Sequence, residues 1–282
     1  MITQLTTIRS VIEARQKNKH NNLKIGFVPT MGALHAGHIS LIRACKKNNE
    51  ICFSSIYVNP TQFNEIEDYN NYPKTINADL EMLADAGCDY VFLPETKEIY
   101  PAGTEHKIHV DLGGLDTLLE GKFRTGHFDG VVTIVKKFFE IVQPDSAYFG
   151  QKDFQQYLVI KKMIEILDFK IDIHLCPIIR ESDGLAMSSR NQRLNTQERR
   201  LAPIIYETLT EAAILLQTNE PEYVKNWAKK NLSHYPLISF EYFEILDASN
   251  LSAISVLKNA NNVIICVAVK IGNIRLIDNI LL

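Results

Sequence analysis

Two histidines, His35 and His38, stand three residues apart in the segment Pro29–His38, which reads PTMGALHAGH. In the first turn of a helix that spacing puts both imidazoles on one side. A helix N-terminus offers unpaired N–H groups and the positive end of its dipole, so it attracts anions. The same field lowers histidine basicity and leaves neutral rings that donate an N–H, poor neighbours for a cation and good ones for a phosphate. Thr30 and Gly32 make a turn whose backbone can approach a ligand closely. Read alone, H-x-G-H could be a glycine-containing loop with two surface histidines. Its setting, a buried strand, a glycine turn and then a helix, is that of a nucleotide site. Met31, Gly32, Ala33, Leu34, His35, Ala36, Gly37 and His38 are therefore the expected nucleotide-facing residues.

Three further segments carry polar groups suited to the same task. In VNPTQF (58–63) the Gln62 amide can donate to a hydroxyl or carboxylate and accept from an ammonium, although Asn-Pro by itself is only a turn signal. In YFGQKDFQQ (148–156), Gly150 permits close approach and Lys152 supplies a point charge for phosphate. Asp153 can bond a ribose hydroxyl or cap the following helix, and Gln156 lies four residues past Lys152, on the same face of a helix. In LAMSSRN (185–191), Ser188, Ser189 and Arg190 offer two hydroxyls and a guanidinium to triphosphate oxygens.

The elements that must position these groups follow from periodicity. Apolar runs at 24–28, 51–58, 89–93, 146–149 and 171–176 read as strands, and the stretches near 39–47, 75–86, 128–142 and 153–167 as helices. Alternation of the two predicts βαβ units and a parallel sheet. Past residue 184 the pattern changes to helices at 196–217 and 221–232, then strands near 240–246, 262–270 and 274–280, the last two joined by a Gly272-Asn273 hairpin turn. The predicted fold class is α/β: a Rossmann-like parallel-sheet domain over residues 1–184, then a smaller C-terminal α+β domain over 185–282.

Composition sets the outer limits. The chain has 282 residues, 46% hydrophobic and 22% charged, with 30 basic and 33 acidic side chains. That balance lacks the basic excess of a nucleic-acid-binding domain. The five cysteines are an odd number with no C-x-x-C pair, which argues against a disulfide framework or structural zinc site and for a reducing cytoplasm. No apolar run reaches membrane-spanning length.

PTMGALHAGH resembles the N-terminal signature of the pantothenate synthetase family, and H-x-G-H marks the wider nucleotidyltransferase superfamily. The resemblance continues in order through VNPTQF, EDYNNYP (67–73), GHFDGV (126–131), YFGQKDFQQ, LAMSSRN and RLIDNI (275–280). It implies ATP-dependent condensation of pantoate with β-alanine through a pantoyl adenylate, giving pantothenate, AMP and pyrophosphate. By the same resemblance Gln62 serves pantoate and β-alanine, Gln156 serves pantoate, and Gly150, Gln151, Lys152 and Asp153 hold ATP. Ile179 touches the adenine, and Met187, Ser188, Ser189 and Arg190 form a mobile phosphate-binding loop. His38, His35, Lys152 and Arg190 are the implied catalytic groups. The resemblance also implies magnesium accompanying ATP, with no protein ligand nameable from sequence, no tightly bound organic cofactor, and a homodimer built through the first domain. Two positions depart from the family pattern: Thr125 stands where proline is usual, and Gln151 where glutamate is common. Two rivals remain: a nucleotidyltransferase with another acceptor, which would not need Gln62 and Gln156, and a silent nucleotide sensor, which would not need both histidines with Lys152 and Arg190.

Overall fold

Residues 25–30 (IGFVPT) are almost all apolar and nearly fully buried, as expected of a strand covered on both faces. In the computed structural model, which describes residues 2–64, 66–101, 107–257 and 262–282, this strand is the centre of a parallel sheet. The chain runs β1 (Thr3–Leu5), α1 (Ile8–His20), β2 (Ile25–Thr30), α2 (Ala36–Asn48), β3 (Ile51–Ile56), α3 (Ile66–Asn70), α4 (Ile76–Asp85), β4 (Tyr90–Phe92), α5 (Thr96–Ile99), α6 (Leu119–Phe123), α7 (His127–Val142), β5 (Ser146–Gly150), α8 (Phe154–Ile166) and β6 (Asp172–Cys176). Short 3-10 turns occupy Pro60–Gln62 and Gln151–Asp153. After a third such turn, Ser189–Arg193, come α9 (Thr196–Leu201), α10 (Ile204–Leu215), α11 (Pro221–Ser233), β7 (Ile238–Asp247), β8 (Val263–Ile271) and β9 (Ile274–Leu281).

Two compact units result: residues 1–150 with 155–177, and residues 178–282 with 151–154. In the first, six described strands pair in parallel in the order β1-β4-β3-β2-β5-β6. From β2 the chain builds outward through β3 and β4, then returns to lay β5 on the other side of β2. That reversal is a topological switch point, where the carboxyl ends of neighbouring strands diverge and leave a crevice. Pro29, which cannot donate to a ladder, is tolerated because β5 pairs with β2 only at Gly26 and Phe27. One core cluster joins Phe27, Phe53, Phe92 and the apolar face of α7. Another holds Val28, Ile42 and Tyr148 together with Cys45, Cys52, Cys88 and Cys176. In the second unit α10 and α11 pack on the antiparallel sheet β7-β8-β9, where Cys266 lies in β8. All five cysteines are buried thiols.

The structure revises two readings. The stretch 196–217 is two helices, because Pro203 lacks the N–H a continuous helix would need. Helix α1, which periodicity did not reveal, is a largely polar helix fixed by a capping box between Thr7 and Ser10. Among the described residues, no helix is long and apolar enough to cross a membrane.

Candidate active site

The loop after β2 lies at the switch point. Thr30 Oγ1 donates to the Ser55 carbonyl (2.6 Å) and accepts the Gly32 N–H (3.2 Å), which bends the chain out of the strand. Gly32 then takes φ +81°, and a Cβ there would meet Ile56 Cγ2 at 2.9 Å, so glycine is required. Ala33 follows at φ +50°, which for an L-residue costs about 1–2 kcal/mol. Asp79 of α4, only 1% exposed, holds this turn. Its two oxygens accept the Ala33 N–H (3.0 Å) and the Leu34 N–H (2.8 Å), and Thr75 Oγ1 donates to it as well (3.0 Å). Three hydrogen bonds converge on this one buried side chain and offset the strain.

His35 is the residue that caps α2, so the helix begins at Ala36, ahead of the 39–47 stretch that periodicity marks. Its Nδ1 accepts the Gly37 N–H (3.2 Å), while His38 Nδ1 accepts the His35 N–H (3.3 Å). This is a capping box made from two imidazoles. The rings lie 4.1 Å apart between centroids, tilted by 48°. A ring nitrogen that accepts carries no proton, so each neutral ring keeps its proton on Nε2, the far edge of the ring. The cap thereby fixes the tautomer of both histidines, with the ring proton on Nε2.

Gln62 sits on a platform of its own. Its 3-10 turn packs so closely on α7 that a Cβ at Gly130 would stand 2.4 Å from the Thr61 carbonyl oxygen and 2.7 Å from Gln62 Cα. Buried Asn59 donates to the Gly130 carbonyl (3.1 Å) and accepts from Tyr100 Oη (3.0 Å). His127 Nδ1 donates to the Gln62 carbonyl (2.7 Å). So held, the Gln62 side chain points its amide nitrogen at Met31 Sδ (2.8 Å), bringing VNPTQF and PTMGALHAGH together. Thr125, in the place of the usual proline, has its carbonyl held by Asn64 (2.7 Å). Gly150 ends β5 with nothing within 4 Å of an added Cβ, so the fold itself leaves room beside it.

Lys152 belongs to the 3-10 turn and not to α8, so the helical spacing inferred for Lys152 and Gln156 does not hold: only Gln156 is in the helix, half-buried in its first turn. Asp153 lies beside Lys152, 3.4 Å from its Nζ. Within the second unit, Ile179 and Met187 face each other across a short antiparallel turn, with the Met187 N–H on the Ile179 carbonyl (3.0 Å) and Arg180 bridged to Ala186. Ser188 caps the next 3-10 turn by accepting the Arg190 N–H (3.3 Å), which leaves its own O–H proton to donate. Ser189 is buried, whereas Met187, Ser188 and Arg190 are half-exposed. Gln151 donates through its side chain to Asn279 (3.1 Å), a bond that glutamate at this position could not make.

Sequence reading missed the groups that hold the site: Asp79, Asn59, His127, Gln155 and the pair Asp278–Asn279. Gln155, next to Gln156, is buried and fixes residues 115–120 through bonds to the Leu115 and Leu118 carbonyls and the Glu120 N–H. In the sequence neither Asp79, which shares its helix with Asn77, Glu81 and Asp85, nor Gln155, which is followed by Gln156, stands out from its polar neighbours. Among the described residues, no group of three or more His, Cys, Asp or Glu side chains is placed to hold a metal ion.

Comparisons with known proteins place the chain in a family. The family model described as pantoate-beta-alanine ligase matches residues 1–281. A pantothenate synthetase of Porphyromonas gingivalis is 46% identical over 270 residues, 96% of this chain and 94% of that one. The enzyme of the same name from Cytophaga hutchinsonii is 43% identical over 280 residues, 99% of this chain and 98% of that one. Among solved structures, pantothenate synthetase of Thermus thermophilus superposes with a TM-score of 0.91 at 35% identity, covering 99% of both chains. Pantoate-beta-alanine ligase of Francisella tularensis, solved with beta-gamma ATP and beta-alanine, gives 0.81 at 36% identity, covering 100% of this chain and 98% of that one. With one family spanning the chain from end to end in both sequence and fold, the chain belongs to the pantoate-beta-alanine ligase family.

Proposed function

We propose that this chain joins pantoate to β-alanine at the expense of ATP, in two half-reactions at the switch point of its parallel sheet. The pantoate carboxylate attacks the α-phosphorus, the bond to pyrophosphate breaks, and a pantoyl adenylate forms. The β-alanine amine then attacks the acyl carbon and loses a proton, and AMP leaves with the bonding pair. No protein nucleophile is needed, because positioning and charge stabilisation carry most of such a transfer. The observation that supports this reading most is the reciprocal histidine cap, which fixes both rings as Nε2–H tautomers at the N-terminus of α2.

The remaining roles follow. His38 and His35 donate to the phosphates as charge builds on them. Met31 to Leu34, Ala36, Gly37 and Gly150 offer backbone at the same crevice. Lys152 and Arg190 meet triphosphate charge, Gln151 and Asp153 border the nucleotide, Ser188 and Ser189 donate to its phosphates, and Ile179 with Met187 lies against the adenine. Gln62 and Gln156 bind pantoate, and Gln62 also β-alanine. Magnesium enters as the ATP complex, held mainly by phosphate oxygens. The enzyme works in the cytoplasm as a homodimer formed through the first unit, with no tightly bound organic cofactor.

The test is exchange of labelled pyrophosphate into ATP. Pantoate alone should support it, without β-alanine, and the full reaction should yield pantothenate and AMP. Exchange that requires β-alanine would rule out the two-step scheme, and ATP binding with no AMP formed would mean a sensor and not a ligase.

A further inference from the structure

Asn279 in β9 is only 3% exposed and has no part in the scheme above. Its amide nitrogen donates to two successive main-chain carbonyls, those of Gln151 (2.8 Å) and Lys152 (3.0 Å). Its oxygen accepts from the Gln151 side chain (3.1 Å). Every polar atom of the amide is thus spent on one three-residue turn. A 3-10 turn of that length closes on poor hydrogen-bond geometry and does not fix itself. The amide is in turn set from behind. The Asn279 N–H donates to Asp278 Oδ1 (2.7 Å), and Asp278 is held by both terminal nitrogens of Arg180 (2.6 and 3.0 Å). Arg180 also donates to the Gly184 carbonyl (3.0 Å) and stacks over Tyr206, 3.8 Å from its ring centre. A continuous buried chain of polar contacts therefore runs from Arg180 through Asp278 and Asn279 to the backbone that carries Lys152.

We propose that Asn279 is a positioning residue for Lys152. It sets the main chain from which the lysine extends, and so sets where the ammonium group meets negative charge. A long flexible side chain is only as well placed as its anchor, and a displacement of about 1 Å can cost on the order of 100-fold in rate. The residue type is specific. One flat group must give two N–H donors and one acceptor, which asparagine does and aspartate, serine or leucine does not. This inference rests on reading Lys152 as a phosphate contact.

The experiment is a double-mutant cycle on pyrophosphate exchange with pantoate, comparing Asn279→Ala, Lys152→Ala and the double variant, each first shown to be folded by thermal unfolding. Asn279→Ala should lower exchange by about 10- to 100-fold. In the Lys152→Ala background the same change should matter by less than about twofold, because nothing remains to be positioned. A purely structural role predicts that the two losses multiply, and that result would overturn the proposal, as would normal exchange by folded Asn279→Ala beside a large loss for Lys152→Ala. Near-normal exchange by Lys152→Ala alone would overturn the reading of Lys152 itself and this inference with it. If Asn279→Ala does not fold, Asn279→Ser, which keeps a small polar side chain but cannot give two N–H donors and an acceptor at once, takes its place in the cycle. Its loss should likewise vanish in the Lys152→Ala background and would count against the proposal if it persisted.

Discussion

His35, His38, Lys152 and Arg190 could be picked out because cationic or titratable side chains beside glycine turns suggest phosphate. Asp79 could not, since a single aspartate in a helical stretch looks like any solvated carboxylate until burial shows it holding Ala33 and Leu34. His38 should interact more strongly with the charge of the transition state than with ground-state ATP. His38→Ala should therefore slow adenylation by about 10²–10³, the usual cost of one preorganised donor, with ATP affinity changed much less; pre-steady-state pyrophosphate release in the presence of pantoate checks this. His35→Asn separates capping from chemistry. Asparagine is a good cap, so stability should change by less than about 0.5 kcal/mol, while the ring donor and the rate are lost. Equal rates for His35→Asn and the wild type would reduce His35 to a cap. Asp79→Asn turns an amide N–H₂ toward a backbone N–H and leaves a buried donor unsatisfied, at a cost of about 1–3 kcal/mol. Urea denaturation should show that loss, and the KM for ATP should rise with it.

At the scale of elements, five of the six described strands of the parallel sheet and the apolar helix α7 were legible because their cores are continuous and their ends carry glycine or proline, whereas the three-residue β1 is too short to show a pattern. α1 was not, since only Val11 and Asn18 on it are buried and its stability comes from the Thr7 cap and local contacts. The Pro203 break was readable in principle, but the apolar spacing on either side of it masked it. The segment 185–191 was read as one mobile loop. In the structure it is the return arm of a turn, with the Glu181 N–H on the Leu185 carbonyl (2.8 Å) and the Met187 N–H on Ile179 (3.0 Å). Hydrogen exchange should accordingly be slow at Met187 with or without ATP, and should slow on ATP addition at Ser189 and Arg190. Arg190→Ala should remove the ATP-dependent part. Identical exchange at 188–191 in both states would exclude nucleotide-driven ordering there.

On the scale of the whole molecule, the α/β class and the change to an α+β region were legible from the switch in element order. The membership of residues 151–154 was not. They read as the joint of a βα unit, yet they belong with the C-terminal unit because β9, far along the sequence, holds them. No single-sequence pattern encodes a tie between residues 151 and 279. A homodimer should give a light-scattering mass twice the 32.1 kDa of the chain at micromolar concentration. A mass that stays near the monomer would rule out that assembly.

The five buried thiols make the protein its own stopwatch for opening. Contact with Cys45 and Cys88, together with burial, pushes the Cys52 thiol well above its ordinary range, and burial raises Cys176 in the same direction. All five are enclosed, and a buried sulfur is out of reach of alkylating reagents, which attack exposed thiolates. Each should therefore be tagged only when the structure around it comes apart. Four of the tags fall in the first unit and one, Cys266, in the second. Mass spectrometry of peptides sampled over time would give two separate lifetimes from one unmodified chain, and adding ATP would show which lifetime the nucleotide lengthens.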